Sequence, residues 1–186
     1  MSKVAIFMAE GCEEIEGLTV VDVLRRAKME ITMVSITDAK TVTSSHGVTF
    51  EADACLADVD FTEYDGVILP GGLPGTTNLG ECDQVVGLIK EFAEQDKLVA
   101  AICAAPSVLG KNGLLEGKKA TSYPGYEEEM PGCTYLTESV VRDGNIITGR
   151  GMGTAIDFAL AIVEYFSDRD TAVALGHKFI YNNYLK

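Results

Sequence analysis

Residues 98–110 read LVAAICAAPSVLG. Leu98 to Ile102 form an apolar run with no polar position in it, which predicts a strand buried on both faces. Pro106 suits the first turn of a helix, so a helix is expected from about residue 105 or 106 to Gly113. Cys103 therefore stands where a strand hands over to a helix. The small residues Ala104 and Ala105 leave room for a sharp turn at that point.

Two readings of Cys103 follow from its position. A free cysteine is among the most buried residue types and is commonly inert. At the start of a helix, however, backbone amides stabilise a thiolate and make the sulfur reactive. The local sequence leaves both open.

The rest of the chain supplies the setting. Short apolar runs at 3–8 (KVAIFM), 31–36 (ITMVSI) and 66–69 (GVIL) predict further strands. Helical spacing is found at about 16–28, with Leu18, Val21, Leu24 and Lys28 on one face. It recurs at 83–94, with Val86, Ile89, Lys90 and Ala93 in step. Residues 154–166 read as a largely buried helix and 168–177 as a last one. Residues 37–47 are polar and turn-rich, 48–51 read as a short strand, and 53–60 as a connector. KKATSY is a short strand candidate, and YEEEMPGC a turn and loop. Asp143-Gly144 between two valines and two isoleucines predicts a hairpin over 140–147. Strands alternate with helices and lack polar alternation. This predicts one α/β domain over residues 1–186, with a mostly parallel central sheet and helices on both faces.

Ligands in such folds bind beyond the carboxyl ends of the strands. Three strand ends lead there: Met8 toward Glu16, Leu69 toward Pro70-Gly71-Gly72, and Ile102 into Cys103. A glycine-rich loop can turn its amides inward, so Gly72 can offer one to an oxyanion. Glu16 is the candidate partner of Cys103: buried beside sulfur, its carboxyl would keep a proton and could shuttle it.

Composition narrows the function classes. The 186 residues carry a formal net charge of −13, which repels nucleic acid and anionic membranes. No run of 18 apolar residues is present, and the N-terminus lacks a signal-peptide pattern, so a cytoplasmic protein is expected. Five widely spaced cysteines do not form a disulfide framework. His46 and His177 are the only histidines, and neither has a sequence neighbour at metal-ligand spacing. GRGMG at 149–153 and GLPGTTNLG at 72–80 fail the dinucleotide and phosphate-loop patterns. No metal and no cofactor are expected. Cys12 reads as a semi-exposed loop thiol, and Cys55, Cys82 and Cys133 as packing or surface residues. Asp157, inside an apolar helix, needs a hydrogen-bond partner. Arg150 reads as a loop or dimer contact, and His177 as a packing residue.

A family resemblance runs through EGCEEIE, VDVLRRA (21–27), YDGVILPGG (64–72), VAAICAAP (99–106), ITGRGMGTAIDFALAIVE (147–164) and IYNNY (180–184). In order and spacing these motifs resemble the ThiJ/PfpI superfamily, in the branch of YajL and the Parkinson-associated deglycase. The resemblance implies a flavodoxin-like three-layer sandwich and a homodimer. It makes Cys103 the reactive cysteine at a strained elbow, Glu16 its hydrogen-bonding acid, and Gly72 the glycine whose amide faces sulfur. It places Arg26 and His46 in a small anion pocket, often completed across the dimer. The human relative has arginine where this chain has His46, so the pocket is less constantly positive. Tyr123 replaces a histidine in a Thr-His-Pro stretch, as in the YajL branch, and is expected to line the pocket. The peptidase branch has histidine directly after the cysteine; here that residue is Ala104, which argues against proteolysis.

The expected activity is cysteine-dependent chemistry on small dicarbonyls or their protein adducts, with the amides of Gly72 and Ala104 at the oxyanion. The rival is a redox-sensing or chaperone-type stress protein that uses oxidation of Cys103 without turnover.

Overall fold

The computed structural model describes residues 2–182. The last two residues of the IYNNY motif lie outside that range. In chain order the strands are β1 (Lys3–Met8), β2 (Glu30–Ser35), β3 (Thr41–Thr43), β4 (Thr49–Glu51), β5 (Ala54–Cys55), β6 (Gly66–Leu69), β7 (Leu98–Ile102), β8 (Lys119–Ala120), β9 (Thr134–Tyr135), β10 (Val140–Asp143) and β11 (Ile146–Gly149). The α-helices are α1 (Glu14–Arg26), α2 (Gly75–Glu81), α3 (Asp83–Glu94), α4 (Pro106–Lys111), α5 (Ala155–Phe166) and α6 (Arg169–Lys178).

Seven strands form the central sheet in the order β10-β11-β7-β6-β1-β2-β5. All neighbours are parallel except β10 and β11, which form the expected antiparallel hairpin. The apolar strands are explained by burial from both sides. In β1, Val4, Ile6 and Met8 join one core with Leu24, Phe158 and Leu160, while Ala5 and Phe7 join another with Leu79, Ile89 and Phe92. Helices α1, α5 and α6 thus cover one face, and α2, α3 and α4 the other. Each fully buried Leu, Ile or Phe contributes roughly 1.5–3 kcal/mol of transfer free energy. This is the flavodoxin-like α/β sandwich that the alternating pattern and the resemblance imply.

Several local expectations are corrected. Glu13 caps α1, its carboxylate accepting from the Ile15 amide, so the helix begins at Glu14 rather than Glu16. It ends at Arg26; Lys28 lies beyond it at φ 63° and is not on the buried face. In α3 the buried stripe is Val85, Ile89 and Phe92 rather than Val86, Lys90 and Ala93. Residues 37–47 contain β3, which pairs with β4 in a separate two-stranded ribbon. The short β5 inside the expected connector adds an edge to the main sheet. The glycine loop after β6 runs directly into α2, which the sequence pattern concealed.

The sheet order reverses between β1 and β6. From β1 the chain builds outward through β2, and from β6 outward through β7 and β11. This is the topological switch point, where the carboxyl ends of α/β sheets leave a crevice.

Candidate active site

β1 and β6, the strands flanking the crevice, deliver Glu16 and the Gly71-Gly72 loop. The adjacent β7 delivers Cys103. Glu16 sits in the first turn of α1 and is completely buried (0% exposed). Its Oε2 accepts the Gly71 amide at 2.8 Å. Its Oε1 has no hydrogen-bond partner among the described residues, and the Cys103 thiol beside the carboxyl favours its charged form.

Cys103 is held at φ 66°, a left-handed conformation that L-residues other than glycine rarely adopt. The surrounding bonds fix it there. Its amide donates to Gly149 O at 2.9 Å, and its carbonyl accepts the Tyr123 amide at 2.8 Å. Ala105 N donates to Ile102 O at 3.1 Å, closing the turn. The amides of Ala104 and Gly72 face the sulfur and favour its charged form. Ser107 Oγ donates to Ala104 O at 2.7 Å and braces the other side of that peptide.

The electrostatics of the two side chains are coupled. Burial pushes the Glu16 carboxyl up to about 7, against the hydrogen bonds from Cys103 and Gly71 that favour its charge. Burial also pushes the Cys103 thiol up to about 12, and the charge and hydrogen bond of Glu16 add to the rise. Two adjacent buried anions are disfavoured, so the pair carries at most one negative charge around neutral pH. With the proton on Glu16, the repulsion is absent and the amides of Ala104 and Gly72 are left to favour the thiolate.

Gly71 is a site residue that sequence reasoning missed. A Cβ there would lie 2.6 Å from Cys103 Cβ and 2.6 Å from Glu16 Oε2. Gly72, at φ 89°, occupies a conformation suited to glycine and carries the amide that faces sulfur. The Pro-Gly-Gly signal marked the loop, but not which glycine serves which partner. Tyr126 was also missed. Its phenol proton is held more firmly through burial, then Glu129, then the nearby sulfur of Cys103.

The remaining predicted residues are more dispersed. His46 is exposed, and its Nδ1 lies 3.1 Å from Glu14 and 3.4 Å from Glu13. The hydrogen bond it donates to the Glu14 carboxylate is the main cause that raises its pKa. Glu13, Glu14 and His46 bring one ligand atom each within 4.8 Å, a grouping that sequence spacing did not reveal. Arg26 is ten residues along α1 from Glu16, roughly 15 Å at the helical rise. Its Nε pairs with Asp22 at 2.6 Å. Within one chain Arg26 thus stands about three helical turns from Glu16, while His46 sits beside Glu13 and Glu14 at the start of the same helix. Tyr123 is half exposed and shares the wall of a cavity of about 310 Å³ with Arg150 and Met152. Arg150 makes loop contacts, 3.4 Å to Ser122 O and 3.5 Å to the Tyr135 hydroxyl.

Three minor expectations are settled by burial. Cys12 is fully buried rather than semi-exposed, and burial pushes its thiol up to about 12. Asp157 has its partner in the Tyr181 hydroxyl. His177 is exposed in the last turn of α6 rather than packed, a favourable place for a basic group at the negative end of a helix. No helix among the described residues is long and apolar enough to cross a membrane.

Known proteins share this arrangement of strands and helices. In Drosophila melanogaster, Protein dj-1beta is 41% identical over 187 residues, covering 98% of this chain and 100% of that protein. The glutathione-independent glyoxalase DJR-1.2 of Caenorhabditis elegans is 34% identical, covering 88% and 87%. Arabidopsis thaliana DJ-1 homologs A and B are 38% and 37% identical, and this chain spans 45% and 40% of them, under half their lengths. The crystal structure of Drosophila DJ-1beta superposes with a TM-score of 0.91 at 39% identity, covering 97% and 98% of the two chains. Oxidized DJ-1 of Toxoplasma gondii gives 0.93 at 34% identity, covering 97% and 99%. The DJ-1/PfpI family model matches residues 2–165, and the chain belongs to the DJ-1/PfpI family.

Proposed function

We propose that this protein is a cysteine-dependent, cofactor-free enzyme that converts small α-oxoaldehydes to hydroxy acids. The observation that carries the reading is the buried Glu16 carboxyl beside Cys103, with a pKa raised to about 7. An acid near the working pH can both give and take a proton. The thiolate adds to the aldehyde carbon, and the carbonyl electron pair moves to oxygen, where the amides of Gly72 and Ala104 offer hydrogen bonds. Glu16 then carries the proton from the former aldehyde carbon to the neighbouring ketone carbon by way of an enediol. This oxidises the first carbon to a thioester and reduces the second to an alcohol. Water attacks the thioester, the carbon–sulfur bond breaks and the thiolate returns. The net change adds one water and needs no external oxidant.

The C. elegans relative, named a glutathione-independent glyoxalase, supports this substrate class. Action on glycated protein is the same chemistry drawn through free dicarbonyl in equilibrium with early adducts. Tyr123 in place of histidine supports the YajL branch. The resemblance supports a homodimer, with Arg26 and His46 contributing across it, and a cytoplasmic setting suits the free thiols.

The deciding experiment follows methylglyoxal loss and lactate formation in thiol-free buffer, with Cys103→Ala in parallel. Multiple turnovers that require Cys103 support the enzyme. Lactate no higher than in the alanine control removes it. The second reading, oxidation sensing or stress chaperoning, is favoured by Cys103 being a partly exposed residue at which two amides and Glu16 can hold a sulfinate. Oxidation-dependent binding without turnover distinguishes it.

A further inference from the structure

A cavity of about 360 Å³ opens beside the elbow, walled by α2, α4 and the turn holding Tyr126. Cys103 is not in its wall, but three lining residues tie the cavity to the elbow. Leu73 follows Gly72, Ser107 braces the Ala104 peptide, and Tyr126 is close enough to feel the charge of Cys103. Cavities from about 300 Å³ upward accept ligands of drug size, well beyond a three-carbon aldehyde. The mechanism above uses none of this space.

The wall chemistry defines an occupant. Ser107, Asn112 and Tyr126 bring two hydroxyl-bearing side chains and an amide to its wall, with Thr76 beside them. Ser107 and Asn112 each spend only a donor on the backbone, which leaves their oxygens able to accept. Thr76 is 5% exposed, and its hydroxyl has no partner among the described residues. The charged groups are Glu81, Glu129 and Lys111, the last two paired at 2.7 Å. Two carboxylates against one ammonium disfavour an anionic tail. So many polar groups suit a purely apolar tail poorly.

We propose that this cavity is a second subsite of the same active site, and that it takes the neutral, hydroxylated tail of α-oxoaldehydes of about sugar size. The inference rests on the proposed dicarbonyl chemistry and extends it. The reacting carbonyls sit at Cys103, and the hydroxyl groups further along the substrate exchange hydrogen bonds with Ser107, Asn112 and Tyr126.

Gly80 supplies the test. It lines the cavity, and a Cβ there meets only Val108, at 3.5 Å, an ordinary contact in a helix. Gly80→Leu therefore fills the space without disturbing the elbow. Turnover of methylglyoxal and of 3-deoxyglucosone, a six-carbon α-oxoaldehyde with a neutral hydroxylated tail, is measured for wild type and variant. The two aldehydes differ in hydration and ring closure, but those differences cancel when their kcat/KM ratio is compared between proteins. The ratio is expected to fall at least tenfold against 3-deoxyglucosone in Gly80→Leu, and about fivefold in Tyr126→Phe. An unchanged ratio in Gly80→Leu overturns the subsite while leaving the dicarbonyl chemistry intact. If wild type turns over neither aldehyde, the catalytic reading fails instead. Titration of the non-reactive polyol erythritol into isotope-labelled protein then decides the subsite. Saturable shifts of the Gly80 and Tyr126 amides support it, and their absence overturns it.

Discussion

The Gly71 amide donates to Glu16 Oε2 at 2.8 Å, joining positions 55 residues apart in the chain. The same glycine touches the other half of the site, because a Cβ on it would lie 2.6 Å from Cys103 Cβ and 2.9 Å from Ile102 O. Gly71→Ala is therefore expected to force the elbow and the carboxyl apart. Overpacking of this kind costs about 1–3 kcal/mol. A lowered urea midpoint with an unchanged slope, together with slower alkylation of Cys103, is the expected result. Wild-type values for both would show that the loop yields without strain.

The Glu16 pKa predicts a pH dependence of stability with a definite sign. A carboxyl raised from 4.5 to about 7 on folding binds its proton more tightly in the folded state. Its contribution is fully present below pH 4.5, falls as the unfolded chain ionises first, and is lost by about pH 7. Each pKa unit corresponds to 1.36 kcal/mol, so the loss is on the order of 3 kcal/mol. Urea unfolding of wild type and Glu16→Gln between pH 4.5 and 8 checks this. The stability difference is expected to shift toward the glutamine variant as pH rises. A difference independent of pH would mean that Glu16 ionises normally in the folded protein.

The left-handed backbone of Cys103 gives a prediction separate from its chemistry. An L-residue at φ 66° bears about 1–2 kcal/mol that glycine does not. Glycine loses more unfolded-state entropy, roughly 0.4–1 kcal/mol relative to alanine. The strain exceeds that entropy, so Cys103→Gly is expected to be more stable than Cys103→Ala by about 1 kcal/mol. Equal or reversed urea stabilities would remove strain from the account of this turn.

The parallel sheet was legible because its strands are apolar on both faces, and LVAAI announces that burial without any partner. The meeting of Glu16, the glycine loop and Cys103 was legible for a related reason: each follows a strand, and parallel strands bring their ends to one edge. What stayed hidden depends on side-chain reach. Thr41–Thr43 looked like a turn because threonines flank its single buried residue, Val42, and its pairing with Thr49–Glu51 is made outside the seven-stranded sheet. Gly71 and Gly72 are neighbours with identical side chains, so only their backbone directions separate a carboxylate donor from a sulfur donor. Tyr126 comes near the sulfur through a loop whose sequence, YEEEMPGC, carries polar spacing and no periodicity.

Alkylation of Cys103 tests how Glu16 serves the thiolate. In wild type the pair carries at most one negative charge near pH 7, and a proton on the carboxyl can be donated to sulfur. Glu16→Gln keeps a donor and removes the competing charge. Glu16→Leu removes both and leaves the sulfur equally buried. A hydrogen bond to a charged group contributes about 1.5–3 kcal/mol, which corresponds to tenfold or more in the thiolate population. Iodoacetamide at pH 7 is therefore expected to modify Cys103 in Glu16→Leu at least tenfold more slowly than in Glu16→Gln. A pH–rate series for both variants separates this from altered access, since access changes the plateau and the hydrogen bond changes the midpoint. Coincident midpoints would show that the amides of Gly72 and Ala104 stabilise the thiolate alone, and Glu16 would then keep only its part in moving the proton between carbons.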